Sequence, residues 1–177
     1  MQVITIQDFD INKISFDVIE NTKYEDFKGL CNITFDKIFI KYNNRNLRLH
    51  TPSLYTYGVN TKFDTPTIGL SINSNDEDVK LLSNILKQIY DKCNEHLKTI
   101  KINREMTNFI KEYNGSKSVN IKINPVCRIM DKDEKRLRKD DLNKCNVSCV
   151  ININSIFINK KYCTLQMDAS RIIKMNK

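Results

Sequence analysis

The chain has 177 residues, 40% of them apolar, and a formal net charge of +8. That length suits one domain with a sizeable core, and four glycines with three prolines leave no material for a long disordered linker. No apolar run approaches the roughly 18 residues a membrane span needs, and the start, MQVITIQDFD, lacks the basic-then-apolar pattern of a secretory signal.

The predicted elements begin with β-prone runs at 3–6 (VITI) and 13–19 (KISFDVI). Residues 31–35 (CNITF) alternate, 37–42 (KIFIKY) continue as a second run, and 43–46 (NNRN) form a turn. In 47–51 (LRLHT), Leu47, Leu49 and Thr51 face one way and Arg48 and His50 the other. Pro52 is expected to end that run, because it cannot donate to a ladder. A further strand is expected at 67–72 (TIGLSI). Ser74 and Glu77 then have the spacing of a capping box, and Asp76, Glu77 and Asp78 suit the positive end of a helix dipole. Val79, Leu82, Leu86, Ile89, Cys93 and Leu97 recur every three or four residues, which predicts a helix with one core-facing stripe.

A second, shorter helix is predicted over 104–113, with Met106, Phe109, Ile110 and Tyr113 inward and Gly115 as its stop. Strands return at 118–124 and 126–130, on either side of Pro125. The charged stretch 131–144 reads as a solvated hairpin tip, and strands at 147–158 and 161–167 close the order. Strands, one or two helices, then strands predict a β-rich α+β fold. Its expected form is a single OB-like barrel domain over 1–177, with the helices inserted between strand groups. An α+β sandwich has the same order.

Six cysteines invite a disulfide framework. Their settings oppose it: Cys31, Cys127, Cys149 and Cys163 lie in apolar runs, and Cys93 lies on the helix stripe. Free thiols in a reducing, cytoplasmic compartment are expected. Cys145 and Cys149 are four apart with no second pair, so they make no zinc set. No phosphate-binding glycine loop, nucleophile elbow or HExxH pattern occurs. No enzymatic activity, metal or cofactor is expected.

A positive excess favours polyanions, nucleic acid first and an anionic membrane surface second. Some of it follows from base composition, since Lys, Asn and Ile are abundant together, as AT-rich coding sequence would make them. Base composition does not explain why Asp and Glu vanish between Asp36 and Asp64. That window holds Lys37, Lys41, Arg45, Arg48 and Lys62, interleaved with Phe39, Tyr42, Tyr55 and Tyr57. Single-stranded nucleic acid is held by cations that track phosphates and flat rings that stack on bases, about 1–3 kcal/mol per base. Carboxylates must stay away from the phosphates. Lys41, Arg45 and Arg48 are expected together near the turn, with His50 on Arg48's side and Tyr55 and Tyr57 on one face past Pro52. The bland reading is that tyrosines spaced by two line a core strand and lysines protect an edge. A second cationic set, Lys122, Arg128, Lys160, Lys161 and Tyr162, lies downstream, where a barrel could bring it to the same groove.

The segment LRLHTPSLYTYGV (47–59) resembles part of the single-stranded DNA-binding proteins of large cytoplasmic DNA viruses, asfarviruses and iridoviruses, and of yeast cytoplasmic linear plasmids. TPTIGLSI (65–72), the acidic-capped helix, SVNIKINP (118–125) and VININSIFI (150–158) follow in similar order. Tyr57 stands where phenylalanine is expected before the glycine, and the chain has no tryptophan, although Phe157 supplies an aromatic near the last strands. The resemblance implies an OB-like fold without enzymatic activity, coating single strands during replication of a cytoplasmic AT-rich element. Partners would be single-stranded DNA, further copies of the chain or replication proteins. RNA is not distinguished from DNA at this level, and no membrane partner is expected. The alternative is an interaction module of a replication, transcription or virion complex whose basic face meets an acidic protein.

Overall fold

Ile, Val and Thr at alternate positions favour an extended pleat, and strands dominate the chain. A computed structural model describes residues 2–25, 32–62, 65–73 and 75–175, with the backbone alone described at 22–25 and 32–33. Among them lie strands β1 (Ile4–Thr5), β2 (Ile14–Phe16), β3 (Glu20–Glu25), β4 (Asn32–Tyr42), β5 (Arg45–His50), β6 (Leu54–Asn60) and β7 (Thr67–Ser71). Helix α1 (Glu77–Thr99) follows, then β8 (Ile110–Tyr113), β9 (Ser116–Asp131), β10 (Cys145–Ile158) and β11 (Cys163–Met175).

β10 organises the sheet. One of its edges pairs with β11, and the other pairs in succession with β6, β5 and β4. β11 runs parallel to β9, β9 antiparallel to β7, and β7 antiparallel to β6. Since β6 returns to β10, these five strands close a barrel. β2 and β3 flank β4, β1 flanks β5, and β8 flanks β9. This is a β-rich α+β fold on an OB-like barrel, with its helix between β7 and β8, one of the two forms that the element order allowed.

Alternation puts Ile38 and Ile40 of β4, Leu47 and Leu49 of β5, Val119 and Ile121 of β9 and Ile151 and Ile153 of β10 inside. The α1 stripe, Val79, Leu82, Leu86, Ile89, Cys93 and Leu97 with Ile85 added, belongs to the same core cluster. Each fully buried aliphatic side chain contributes roughly 1.5–3 kcal/mol relative to exposure. Asp76 caps α1, its side chain accepting from the backbone N–H groups of Asp78 (2.9 Å) and Val79 (3.3 Å). The cap expected at Ser74 lies outside the described residues. No helix among the described residues is long and apolar enough to cross a membrane.

β5 ends at His50, ahead of Pro52 as expected, and β6 resumes beyond the proline on the same edge of β10, so the two follow one another as a kinked edge. Thr51 mends the ladder at the kink. Its N–H donates to the Cys149 carbonyl (2.8 Å), and its Oγ1 accepts from the Cys149 N–H (2.9 Å).

Residues 104–109 form no helix, and 110–113 form β8. Asn114 and Gly115 (φ +48° and +76°) make a tight hairpin turn to β9, the Asn-Gly signal that outweighs helical spacing. Met106 is buried as expected, but Tyr113 is exposed. The stretch 131–144 is a hairpin tip only in its first part. The chain turns at 131–135, Met130 bridges antiparallel to Arg136, and the Leu137 N–H donates to the Ile129 carbonyl (2.9 Å). The stretch does not pair β9 with β10, which β11 separates. It crosses the end of β11, with Leu142 buried and the Lys174 Nζ donating to the Asp141 carbonyl (2.7 Å). The last strand runs to Met175, eight residues beyond the expected end at 167.

Cys93, Cys127, Cys145, Cys149 and Cys163 are free thiols. Burial pushes Cys93 up to about 12 and Cys127 up to about 11. Cys31 lies outside the described residues.

Candidate nucleic-acid interface

The pleat that buries Ile38, Ile40 and Tyr42 turns Lys37, Phe39 and Lys41 to the outer face of the barrel. The Lys37 Nζ stands 4.6 Å and the Lys41 Nζ 5.5 Å from the Phe39 ring centroid. Both are within cation–π range. Lys41 also lies 3.5 Å from the Asp17 carboxylate and donates to Asn46 Oδ1 at 3.4 Å. The register with β10 sets Ser155 beside Phe39 and Phe157 beside Lys37. Phe157 in turn packs on Phe35, with centroids 4.8 Å apart.

A groove of about 470 Å³ is lined by Lys37, Phe39 and Lys41 with Asn154, Ser155 and Gln166, and the acidic residues Asp17 and Glu20 share that lining. Among the described residues, the Ser155 Oγ is buried without a hydrogen-bond partner.

One strand away from Phe39, Arg48 stands outward on β5. Its Nε donates to Asn152 Oδ1 and its Nη2 to Ser170 Oγ, both at 3.1 Å. Asn152 Nδ2 donates to Asp168 Oδ1 at 2.7 Å, Asn154 Nδ2 to Asp168 Oδ2 at 2.6 Å, and Asn124 Nδ2 to Asp168 Oδ1 at 3.2 Å. Lys122 is the β9 neighbour of Asp168, and its Nζ donates to Gln166 Oε1 at 2.9 Å. Arg128 pairs with Arg171 further along. Strands far apart in sequence thus lay Lys37, Phe39, Lys41, Arg48, Lys122 and Arg128 on one outer face.

The other residues singled out in the sequence fall elsewhere. Arg45 pairs with Tyr42, whose ring is buried, so Arg45 stands on the opposite side of the hairpin from Lys41. The expected cluster of Lys41, Arg45 and Arg48 therefore loses its middle member. Tyr42 is core, its hydroxyl accepting from the Asp10 N–H (3.0 Å). Tyr55 and Tyr57 do stand on one outer side, 38% and 76% exposed and edge-to-face at 5.1 Å. They lie at the far end of the β10 ladder, however, because Tyr55 pairs with Asn146 and Phe39 with Ser155. Nine residues of strand at ~3.3 Å each separate them by about 30 Å of contour. Gly58 (φ +126°) makes the bend that ends this aromatic pair.

His50 serves the kink at Pro52. The Ser148 hydroxyl donates to the Thr51 carbonyl (2.8 Å), so at 3.0 Å it accepts from His50 Nε2. The pair clamps β10 to the end of β5 at the kink. Lys62 is exposed past the end of β6. Lys160, Lys161 and Tyr162 occupy the β10–β11 turn beyond Phe157, where Asn159 Oδ1 accepts from the N–H groups of Lys161 and Tyr162. Among the described residues, no group of three or more His, Cys, Asp or Glu side chains could hold a metal ion.

Asn124, Asn152, Asn154, Gln166, Asp168 and Ser170 were not singled out from sequence. A signal existed. Asn152 and Asn154, and then Gln166, Asp168 and Ser170, are polar residues at period two in otherwise buried strands.

No protein-family model matches the chain, and no curated protein matches it by sequence. Solved structures share its fold. One is gp2.5, a single-stranded DNA binding protein encoded by bacteriophage T7, with a TM-score of 0.57 and 7% identity, covering 74% of this chain and 87% of that one. Another is the single-stranded DNA-binding protein from bacteriophage Enc34 in complex with ssDNA, with a TM-score of 0.52 and 15% identity, covering 78% and 90%. At such identities the likeness is one of fold: the chain is built on the same architecture as these two phage proteins.

Proposed function

We propose that this chain is a non-catalytic, sequence-tolerant single-stranded DNA-binding protein, acting as one OB-like nucleic-acid-binding domain. The observation that carries the reading is Phe39, held on the outer sheet face between two ammonium groups with Arg48 and Lys122 on the same face. Two solved proteins with this fold are single-stranded DNA-binding proteins, one of them in complex with ssDNA.

In this mechanism the lysines resting on the Phe39 ring turn to phosphates, and the vacated ring stacks on a base. Stacking is indifferent to base identity because every base has a π-face. The buried, unpartnered Ser155 hydroxyl beside Phe39 supplies a polar contact once the ring shifts. Tyr55 with Tyr57, and Tyr162 with Lys160 and Lys161, extend the track towards the two ends of β10. Coating of strands exposed during replication of a cytoplasmic, AT-rich viral or plasmid element belongs to this reading. So do assembly with further copies or with replication proteins, and the kinship with asfarvirus, iridovirus and linear-plasmid proteins.

The test is fluorescence anisotropy with oligo-dT at two salt concentrations, beside photocrosslinking with peptide mapping. The expectation is tight binding whose log K falls by about 0.7 per phosphate neutralised, with crosslinks in β4 and β10. Binding no tighter than ~10⁻⁴ M at physiological salt, the level of generic basic proteins, would reject the reading in favour of a basic face for an acidic protein.

A further inference from the structure

A carboxylate at the centre of a face that meets phosphates needs a reason to be there. Asp168 projects from β11 between Asn152 of β10 and Lys122 of β9. Both its oxygens are taken by the amide groups of Asn124, Asn152 and Asn154, at 3.2, 2.7 and 2.6 Å. Each bond decides which end of a carboxamide faces which neighbour. Asn152 gives its NH₂ to Asp168 and so turns its oxygen to the Arg48 Nε. Asn154 gives its NH₂ to the other carboxylate oxygen, which leaves its carbonyl oxygen for the groove that Asn154 lines. Asn124 keeps its oxygen for the Val126 N–H (3.0 Å), which shapes the excursion at Pro125. With Ser170 on its Nη2, the Arg48 guanidinium is held by acceptors from two strands.

We propose that Asp168 is a positioning residue of this interface: through Asn152 it aims Arg48 at a phosphate, and it turns the Asn154 carbonyl oxygen towards N–H donors of a base. The proposal rests on the single-stranded DNA reading above. Its consequence opposes simple charge logic. Removing an anion from a polyanion-binding face should tighten binding. Asparagine at 168 would instead set a fourth NH₂ among three NH₂ donors, at least one amide would turn over, and Arg48 would lose its alignment.

The experiment compares oligo-dT binding of wild type, Asp168→Asn, Arg48→Ala and the double variant across a salt series, with melting temperatures alongside. Asp168→Asn is expected to bind about tenfold more weakly, the scale of one charge-assisted hydrogen bond. Its salt slope is expected to be shallower by about 0.7, one phosphate contact, although the protein has gained positive charge. In the Arg48→Ala background the same substitution is expected to cost little. Asn152→Ala, which cuts the link and leaves the charges alone, covers the case in which Asp168→Asn does not fold, and it should mimic the loss. Asp168→Asn or Asn152→Ala binding as tightly as wild type, or a loss undiminished without Arg48, overturns the positioning role. A wild-type protein that ignores oligo-dT overturns the DNA reading itself, and the positioning role with it.

Discussion

Phe39→Ala is the sharpest probe of the interface. The ring carries no charge, and the ammonium groups 4.6 and 5.5 Å from its centroid remain after truncation. On the proposed reading the substitution therefore removes the stack and spares the phosphate contacts. One base–aromatic stack is worth about 1–3 kcal/mol, so the dissociation constant should rise roughly 5- to 150-fold. The dependence of log K on log salt should keep its slope, since no cation is lost. Phe39 is only half-buried and its strand is held on both edges, so the melting temperature should move little. The assay is anisotropy with a short labelled oligo-dT over a salt series, paired with thermal melting. Unchanged affinity in a folded variant would show that bases do not meet this ring. A changed slope with unchanged low-salt affinity would show that the ring only holds the lysines apart.

Lys37→Gln and Lys41→Gln should each lower the salt slope by about 0.7, with a smaller effect at position 41 if the Asp17 pair at 3.5 Å already occupies that ammonium. Tyr57→Ala, at a residue 76% exposed, should leave the melting temperature unchanged and weaken only long oligonucleotides. Sites of ~4 nucleotides reach one end of the track and sites of ~16 reach both, and equal losses on both lengths would contradict the 30 Å separation inferred from strand contour at ~3.3 Å per residue. His96 stacks on Phe16 at 4.1 Å, and burial lowers its pKa below the ordinary 6.5. The unfolded chain thus takes up the proton first, so the stability His96 contributes is full above pH 6.5 and is lost as pH falls through the lower folded value. Melting temperatures at pH 7.5 and 5.5 should therefore diverge less for His96→Phe than for wild type.

Features set by neighbours along the chain were legible in the sequence. The two-residue alternation of LRLHT put Leu47, Leu49 and Thr51 on one face and Arg48 and His50 on the other, and the α1 stripe was read except for Ile85. Features set by distant partners were not. Nothing local to Pro52 says that the ladder resumes beyond it, because the repair is a bond from Cys149, 98 residues away from Thr51. The segment 104–113 carries helix-like spacing, yet the Asn114–Gly115 turn ties Ile110–Tyr113 to β9. Lys37, Lys41 and Arg48 could be found because acids avoid their window, whereas Lys122 and Arg128 lie outside it. Asp168 could not be found by that criterion, since it lies outside the window and its charge is accommodated by three amides from two other strands. Tyr55 and Tyr57 looked close to Arg48 because Pro52 hides how far a continuing strand carries them.

Three successive strands leaning on one edge of β10 also constrain how the molecule is made. Arg48 and its β10 neighbour are 104 residues apart, so β4, β5 and β6 leave the ribosome long before the strand they need. Such long-range pairing is slow. Until it happens, that nascent half exposes unpaired edges carrying Ile38, Ile40, Leu47, Leu49 and Leu54, a target for chaperones and a hazard for aggregation.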